Sequence, residues 1–234
     1  VAHDAGVPLS VLTRGGLMDV NVGRWRALDG HDDEVARVGH AAKRVGDLPI
    51  IWDDGAATVA AIRARARRLQ RQPGGLGVVV VDYLSRIRPT ADAARNGAVA
   101  IATELSRGFK DLAMQLGVPV LLLSQLNRQV EGRDDKQPVM SDLRDSGALE
   151  QDADVVMFLH RAHYYLARSE PKRTPKERAA DFEARVAAWE NDMAREAGKA
   201  TITVAKQRQG PIGPVRVLFD DDTAQFRDEP EAAR

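Results

Sequence analysis

The chain has 234 residues, 44% of them hydrophobic, enough for one large domain or two small ones, of which one domain with an excursion is expected, and its 34 Lys and Arg balance 34 Asp and Glu. That balance excludes a global field drawing the protein to nucleic acid or membrane, so any such binding must come from local patches. The absence of cysteine excludes disulfides, zinc–thiolate centres and thiol nucleophiles, and no apolar run is long enough to span a bilayer. A soluble, cytoplasmic protein is expected, and the opening at Val1, already resembling domain interior, suggests a fragment.

Short helices are predicted over 8–12 and 19–28, then a helix over 32–45 with Val35, Val38, Ala42 and Val45 on one face. Residues 48–52 read as a short strand, turned by Asp53, Asp54 and Gly55. The spacing of Val59, Ile62, Ala66 and Leu69 gives an amphipathic helix over 57–72. Its other face carries Arg63, Arg65, Arg67, Arg68 and Arg71, either a phosphate-binding surface or, without interleaved aromatics, a solvated one.

Four valines, 78–81, then run into Asp82. Continuous β-branched residues without polar alternation predict a central parallel strand covered on both faces. Asp82 at its carboxyl end either caps the next turn or holds Mg²⁺ of a nucleotide through water, since open α/β sheets bind ligands at that edge. A helix over 97–116 faces Ile101, Leu105, Phe109, Leu112 and Leu116 inward, and residues 118–123 form a second apolar strand closing in Ser124 and Gln125. Strand, helix, strand at this spacing is a βαβ unit, placing Asp82 and Gln125 at one sheet edge. Gln125 is there either a turn residue or a sensor of the terminal phosphate and attacking water.

Residues 130–137 are polar and loop-like, and Val155 to Leu159 read as a third buried strand. Arg144 beside Gly147 either caps a turn or presents a guanidinium and a bare amide to a phosphate. His160 and His163 lack a third ligand in any metal pattern, and a metal reading is discounted. From 166 to 198 the character changes: Thr174, Pro175 and Glu177 form a helix-start signal, Phe182, Val186, Trp189 and Met193 recur at helical spacing, and Gly198 stops a helix over 175–197. Strands over 201–205 and 215–219 flank a turn at Gly210, Pro211 and Gly213, a hairpin with Lys206 and Arg208 near its tip on one face. Such cations either aid solubility or reach a neighbour's phosphates. A terminal turn and strand close the chain over 220–226.

In order along nearly the whole chain, the runs at 79–84, 122–128, 141–154 and 206–213 closely resemble the C-terminal motor domain of DnaB-type replicative helicases. The resemblance implies an α/β, RecA-like P-loop NTPase core with a mostly parallel sheet, a C-terminal β-hairpin and an inserted long helix. Residues 1–234 would be a partial motor domain, with 166–198 a helical insertion within it. It implies ATP and Mg²⁺ as cofactors, with Asp82 as the Walker B aspartate on the metal and Gln125 linking the γ-phosphate site to the DNA-facing loops. Arg144, Asp145 and Gly147 match the loop on the backbone of single-stranded DNA, Asp145 standing where the family has glutamate. Lys206 and Arg208 match the pair entering the neighbouring subunit's ATP site, Arg208 as arginine finger. Implied partners are single-stranded DNA, further copies in a homo-hexamer, a primase and a helicase loader, with no membrane. The function implied is ATP-dependent unwinding of duplex DNA at replication forks. No G-x-x-x-x-G-K-S/T run occurs, so the P-loop, its lysine and the water-activating glutamate are expected before Val1, and the isolated chain should be inactive. The competing readings are a non-catalytic RecA-fold module that binds or regulates a helicase, and a recombinase-like ATPase.

Overall fold

The computed structural model describes residues 32–55, 57–143 and 147–230; the helices expected over 8–12 and 19–28, together with Arg144 and Asp145, lie outside the described residues. The chain divides into two units, one of Asp53–Phe158 with Thr203–Gly213, the other of residues up to Trp52 with Leu159–Ile202 and residues from Pro214.

In the first unit, α2 (Val59–Gln70) starts where the Thr58 hydroxyl accepts the Ala61 N–H at 3.2 Å, satisfying a donor the helix cannot. α3 (Ala91–Arg95) is a further short helix, and α4 (Ala98–Leu116) ends at Gly117, whose φ of 66° is the left-handed conformation that side chains resist. The helical spacing of Leu105, Phe109 and Leu112 on α4 buries all three beneath β1 (Val79–Val81) and β2 (Val120–Leu122), with Ala66, Val81, Leu84 and Ile87 completing the core. The two strands pair in parallel, Val79 opposite Val120 and Val81 opposite Leu122, as the βαβ spacing predicts. After β2 come α5 (Gly147–Asp152) and β3 (Val155–His160).

The expectation of a first strand covered on both faces is corrected. Val79, Val81, Val120 and Leu122 pack on the core, whereas Val78, Val80, Leu121 and Leu123 point the other way and are exposed, Val80 to 56%. Side chains alternate across a strand, and the helices of this unit cover one side of it. β3 is likewise buried on one face, through Val156 and Phe158, with Val155, Met157 and Leu159 exposed.

α2 contributes more than an arginine surface. Arg65 pairs with Asp53 at 2.8 Å, Arg67 donates to the Gln115 side chain at 2.6 Å and Arg63 reaches the Gly108 carbonyl at 3.5 Å, so these three tie α2 to its surroundings. Asp53 also accepts the Gly55 N–H, closing the expected turn.

In the second unit, α1 (Asp32–Gly46) buries Ala41, Ala42 and Val45. The strand expected at 48–52 does not form: the segment has no ladder partner among the described residues, and Leu48, Ile50, Ile51 and Trp52 are exposed. α6 (Ala162–Leu166) precedes α7 (Ala179–Glu196), which begins four residues later than the helix-start signal predicts. The Glu177 carboxylate does accept the Thr174 N–H, but Arg185 also grips it and the Lys172 carbonyl, folding 172–177 back along α7 as a separate turn. The stripe of Phe182, Val186, Trp189 and Met193 is half-buried, and the Trp189 indole donates to the Leu166 carbonyl at 2.9 Å.

β4 (Lys199–Gln207), β5 (Gly213–Asp220) and β6 (Gln225–Asp228) form the C-terminal meander, in a four-stranded sheet of order β3-β4-β5-β6. β5 and β6 pair antiparallel with Phe219 opposite Phe226, their rings 4.7 Å apart. Beside them the Arg161 guanidinium lies 3.8 Å from the Phe219 ring centre and pairs with Asp221, which His163 approaches at 3.8 Å. No cluster of three or more His, Cys, Asp or Glu able to hold a metal occurs among the described residues.

Candidate nucleotide and DNA site

The parallel pair sets the first part of the site. Beyond the strands the zipper continues, with Leu123 N–H donating to the Val81 carbonyl at 3.0 Å and Leu84 N–H to the Leu123 carbonyl at 2.8 Å. Asp82 and Gln125 follow those linked residues, so both leave the sheet at the same edge, and both are exposed. An exposed carboxylate at the end of a paired strand is a hard oxygen donor on a rigid stem. That suits an ion such as Mg²⁺, which keeps most of its waters and takes the rest of its shell from phosphate.

The chain after Gln125 is fastened to the segment leading towards Arg144. Leu126 bridges Leu143 antiparallel, and the Asn127 N–H donates to the Asp142 carbonyl at 2.8 Å. Asp142 is itself 3% exposed, its carboxylate accepting from Arg133 and, at 2.8 Å, from the Val139 N–H. Burial pushes its carboxyl up, but the hydrogen bonds from Arg133 and Val139 outweigh this and hold it below the usual carboxylate range. Arg133 also donates to the Gln137 carbonyl at 2.8 Å, so one guanidinium closes the polar loop at both ends. Thus the strand end bearing Gln125 and the stem before Arg144 share hydrogen bonds, and Gly147, exposed, opens α5 on the far side.

The third part lies at the other end of α5. Lys206, on β4, reaches the Glu150 carbonyl and, at 3.3 Å, that of Gln151; Arg208, just beyond β4, donates to the Gln151 carbonyl at 2.8 Å. These are carbonyls of the last turn of a helix, which carry partial negative charge and lack intrahelical partners. Arg208 also stands 3.5 Å from the Asp154 carboxylate, which Lys110 of α4 holds at 2.6 Å. The Lys110 ammonium bonded to it keeps the Asp154 carboxyl below the usual range against the opposing effect of burial, with Arg208 and Lys206 adding to the attraction.

Of the residues singled out in the sequence, Asp82 and Gln125 are therefore brought together, as are Lys206 and Arg208, the latter two held by α5, whose first residue is Gly147. Sequence reasoning missed Arg133 with Asp142 and Lys110 with Asp154. The first pair spans a loop of no regular period; the second had one legible signal, the spacing of Ser106 and Lys110 one turn apart on α4.

Two solved proteins share this fold over most of the chain. One, an ATPase domain, superposes with a TM-score of 0.72 at 30% identity, over 94% of this chain and 68% of that one. The other, a DnaB-like replicative helicase whose structure was described with its interactions with primase, superposes with a TM-score of 0.74 at 30% identity, over 94% of this chain and 48% of that one. The fold is therefore that of a RecA-like ATPase domain. At the level of sequence, the DnaB-like helicase C terminal domain pattern matches residues 13–228. The replicative DNA helicase DnaB of Rickettsia bellii is 37% identical over 97% of this chain and 42% of its own length, and that of Haemophilus influenzae 40% identical over 83% and 36%. The chain belongs to the DnaB-like helicase C-terminal domain family, and it spans about two-fifths of the length of these relatives.

Proposed function

We propose that this chain is the later part of the motor domain of a hexameric, ATP-driven replicative helicase that unwinds duplex DNA while travelling on one strand. The observation that carries the reading is the shared edge of Asp82 and Gln125, linked through the Leu126–Leu143 bridge to the segment that leads towards Arg144. A change at the phosphate edge can pass through this hydrogen-bonded route to the strand-facing loop.

In the assembled ring, Asp82 would help to hold Mg²⁺, Gln125 would orient the attacking water, and Arg208 with Lys206 would face the nucleotide of a neighbouring subunit. Mg²⁺, when bound with the nucleotide, would supply charge neutralisation at the phosphates. Arg144, Asp145 and Gly147 hold the backbone of single-stranded DNA, a contact that tracks phosphates rather than bases. Residues 166–198, holding α7, are an insertion in the motor domain that decorates the ring surface. Primase and a helicase loader are the further partners of such a motor, and it works in the cytoplasm; no described helix is long and apolar enough to cross a membrane.

The test is Mg²⁺-dependent ATP hydrolysis by this chain and by the full-length protein, each with and without single-stranded DNA. The chain alone turns over no ATP, since it contains no G-x-x-x-x-G-K-S/T run, and the full-length protein shows DNA-stimulated turnover. Turnover by the chain alone would contradict the division of the site, and an inert full-length protein would favour a non-catalytic module.

A further inference from the structure

Resting on the reading of Arg208 as the residue that enters a neighbour's nucleotide site, we propose that Lys110 and Asp154 are positioning residues for Arg208, so that helix α4 sets where the guanidinium stands. A hairpin tip is a poor place to fix a long side chain, because each ordered rotamer costs entropy and the turn beyond it moves. Here the tip is held by the body of the unit. Ser106 of α4, buried, donates to the Asp152 carboxylate at 2.7 Å and lies 3.2 Å from the Ala148 carbonyl, which seats α5 on α4. One turn further along the same helix, Lys110 holds the Asp154 carboxylate at 2.6 Å.

Asp154 then meets Arg208 twice. Its carbonyl accepts the Arg208 backbone N–H at 3.0 Å, and its carboxylate stands 3.5 Å from the guanidinium. The Gln151 carbonyl takes one further N–H of the guanidinium at 2.8 Å. An arginine fork has five N–H donors, so these contacts orient the group and leave donors for an anion, and the side chain is 52% exposed. Lys110 has a second effect: it shares the Asp154 charge. Without it, Asp154 is a full carboxylate beside Arg208 and competes with the phosphate for the guanidinium. Without Asp154, the guanidinium keeps its charge and loses its orientation.

The experiment is steady-state ATP hydrolysis by the full-length protein with single-stranded DNA present, comparing Lys110→Met, Asp154→Asn, Asp154→Glu and Arg208→Ala. Lys110→Met and Asp154→Asn should each lower kcat about tenfold with KM for ATP within about twofold, the signature of a misplaced group that acts in the transition state. Asp154→Glu, which keeps the carboxylate, should recover most of the loss. Unchanged kcat in Lys110→Met and Asp154→Asn, with hydrolysis abolished in Arg208→Ala, would overturn the positioning role and leave the finger intact. Unchanged hydrolysis in Arg208→Ala would overturn the finger reading itself. A loss in which kcat falls in step with melting temperature, and which Asp154→Glu does not restore, would reduce the pair to a structural contact. If Asp154→Asn does not fold, Lys110→Met decides, since that side chain is partly exposed and its stem is retained.

Discussion

Asp142 shows how a carboxylate of no special sequence signature becomes the fastening of the segment that leads towards Arg144. At 3% exposure it can remain ionised because Arg133 and the Val139 N–H replace the lost water. Asp142→Asn should destabilise the protein by about 1–3 kcal/mol in denaturant unfolding, because Arg133 then keeps a half-satisfied charge. Its folded carboxyl titrates below the ordinary 3.8, so the unfolded chain binds the proton more readily. The contribution is therefore present above pH 3.8 and is lost as pH falls through the lower folded value. The pH dependence of unfolding should flatten on the acid side in Asp142→Asn, and an identical acid limb would rule this out. The run from Ser141 to Asp154 was legible as a unit by resemblance, yet the partner of Asp142 was not, because nothing in sequence spacing ties it to Arg133 across an irregular loop.

Element by element, α2 and α4, which pack on the first core, were readable to within two residues at each end, whereas the short α3 was not foreseen. α4 matches its predicted span because its apolar positions recur at helical spacing and glycines stand at both ends. Leu112, fully buried, is the centre of that core, and Leu112→Ala should cost about 2–5 kcal/mol in thermal or denaturant melting. Gly108 carries a constraint that spacing does not reveal: a Cβ there would lie 2.8 Å from a methyl carbon of Val59 on α2, a branched side chain that is stiff at χ1. Gly108→Leu should therefore lower stability by about 1–2 kcal/mol despite the better helix propensity of leucine, and a melting temperature equal to or above wild type would refute the close α2–α4 approach. Where prediction failed, tertiary partners decided. Residues 48–52 have strand composition without a neighbouring ladder, and the helix-start signal at Thr174 forms its hydrogen bond but is drawn into a turn by Arg185.

At the scale of the whole molecule, the chain is a RecA-like domain of the DnaB-like family in which one face of the parallel pair carries exposed Val78, Val80, Leu121 and Leu123. The run of four valines correctly indicated a strand of a parallel sheet and overstated its cover, because a run of apolar residues reports what a strand can bury rather than what is present to bury it. The placing of Asp82 and Gln125 at one sheet edge followed from the βαβ spacing, whereas the hold of α5 on Lys206 and Arg208 joins residues more than fifty positions apart and was invisible to local reasoning. For the proposed motor, affinity for single-stranded DNA should fall steeply with salt whatever the base sequence. Arg144→Ala in the full-length protein should reduce the slope of log affinity against log salt by about 0.7, the share of one phosphate contact, as fluorescence anisotropy would measure.

A subunit-mixing experiment on the full-length protein asks whether this fold contributes Asp82 to its own nucleotide site and Arg208 to its neighbour's. Asp82→Asn and Arg208→Ala are each assayed alone for ATP hydrolysis and then after mixing under conditions that exchange subunits. Two inactive preparations should regain hydrolysis together, because an intact Asp82 on one subunit then meets an intact Arg208 on the next. Persistent inactivity of a mixture shown to have exchanged, or full activity of either variant alone, would contradict that division of the site between neighbours.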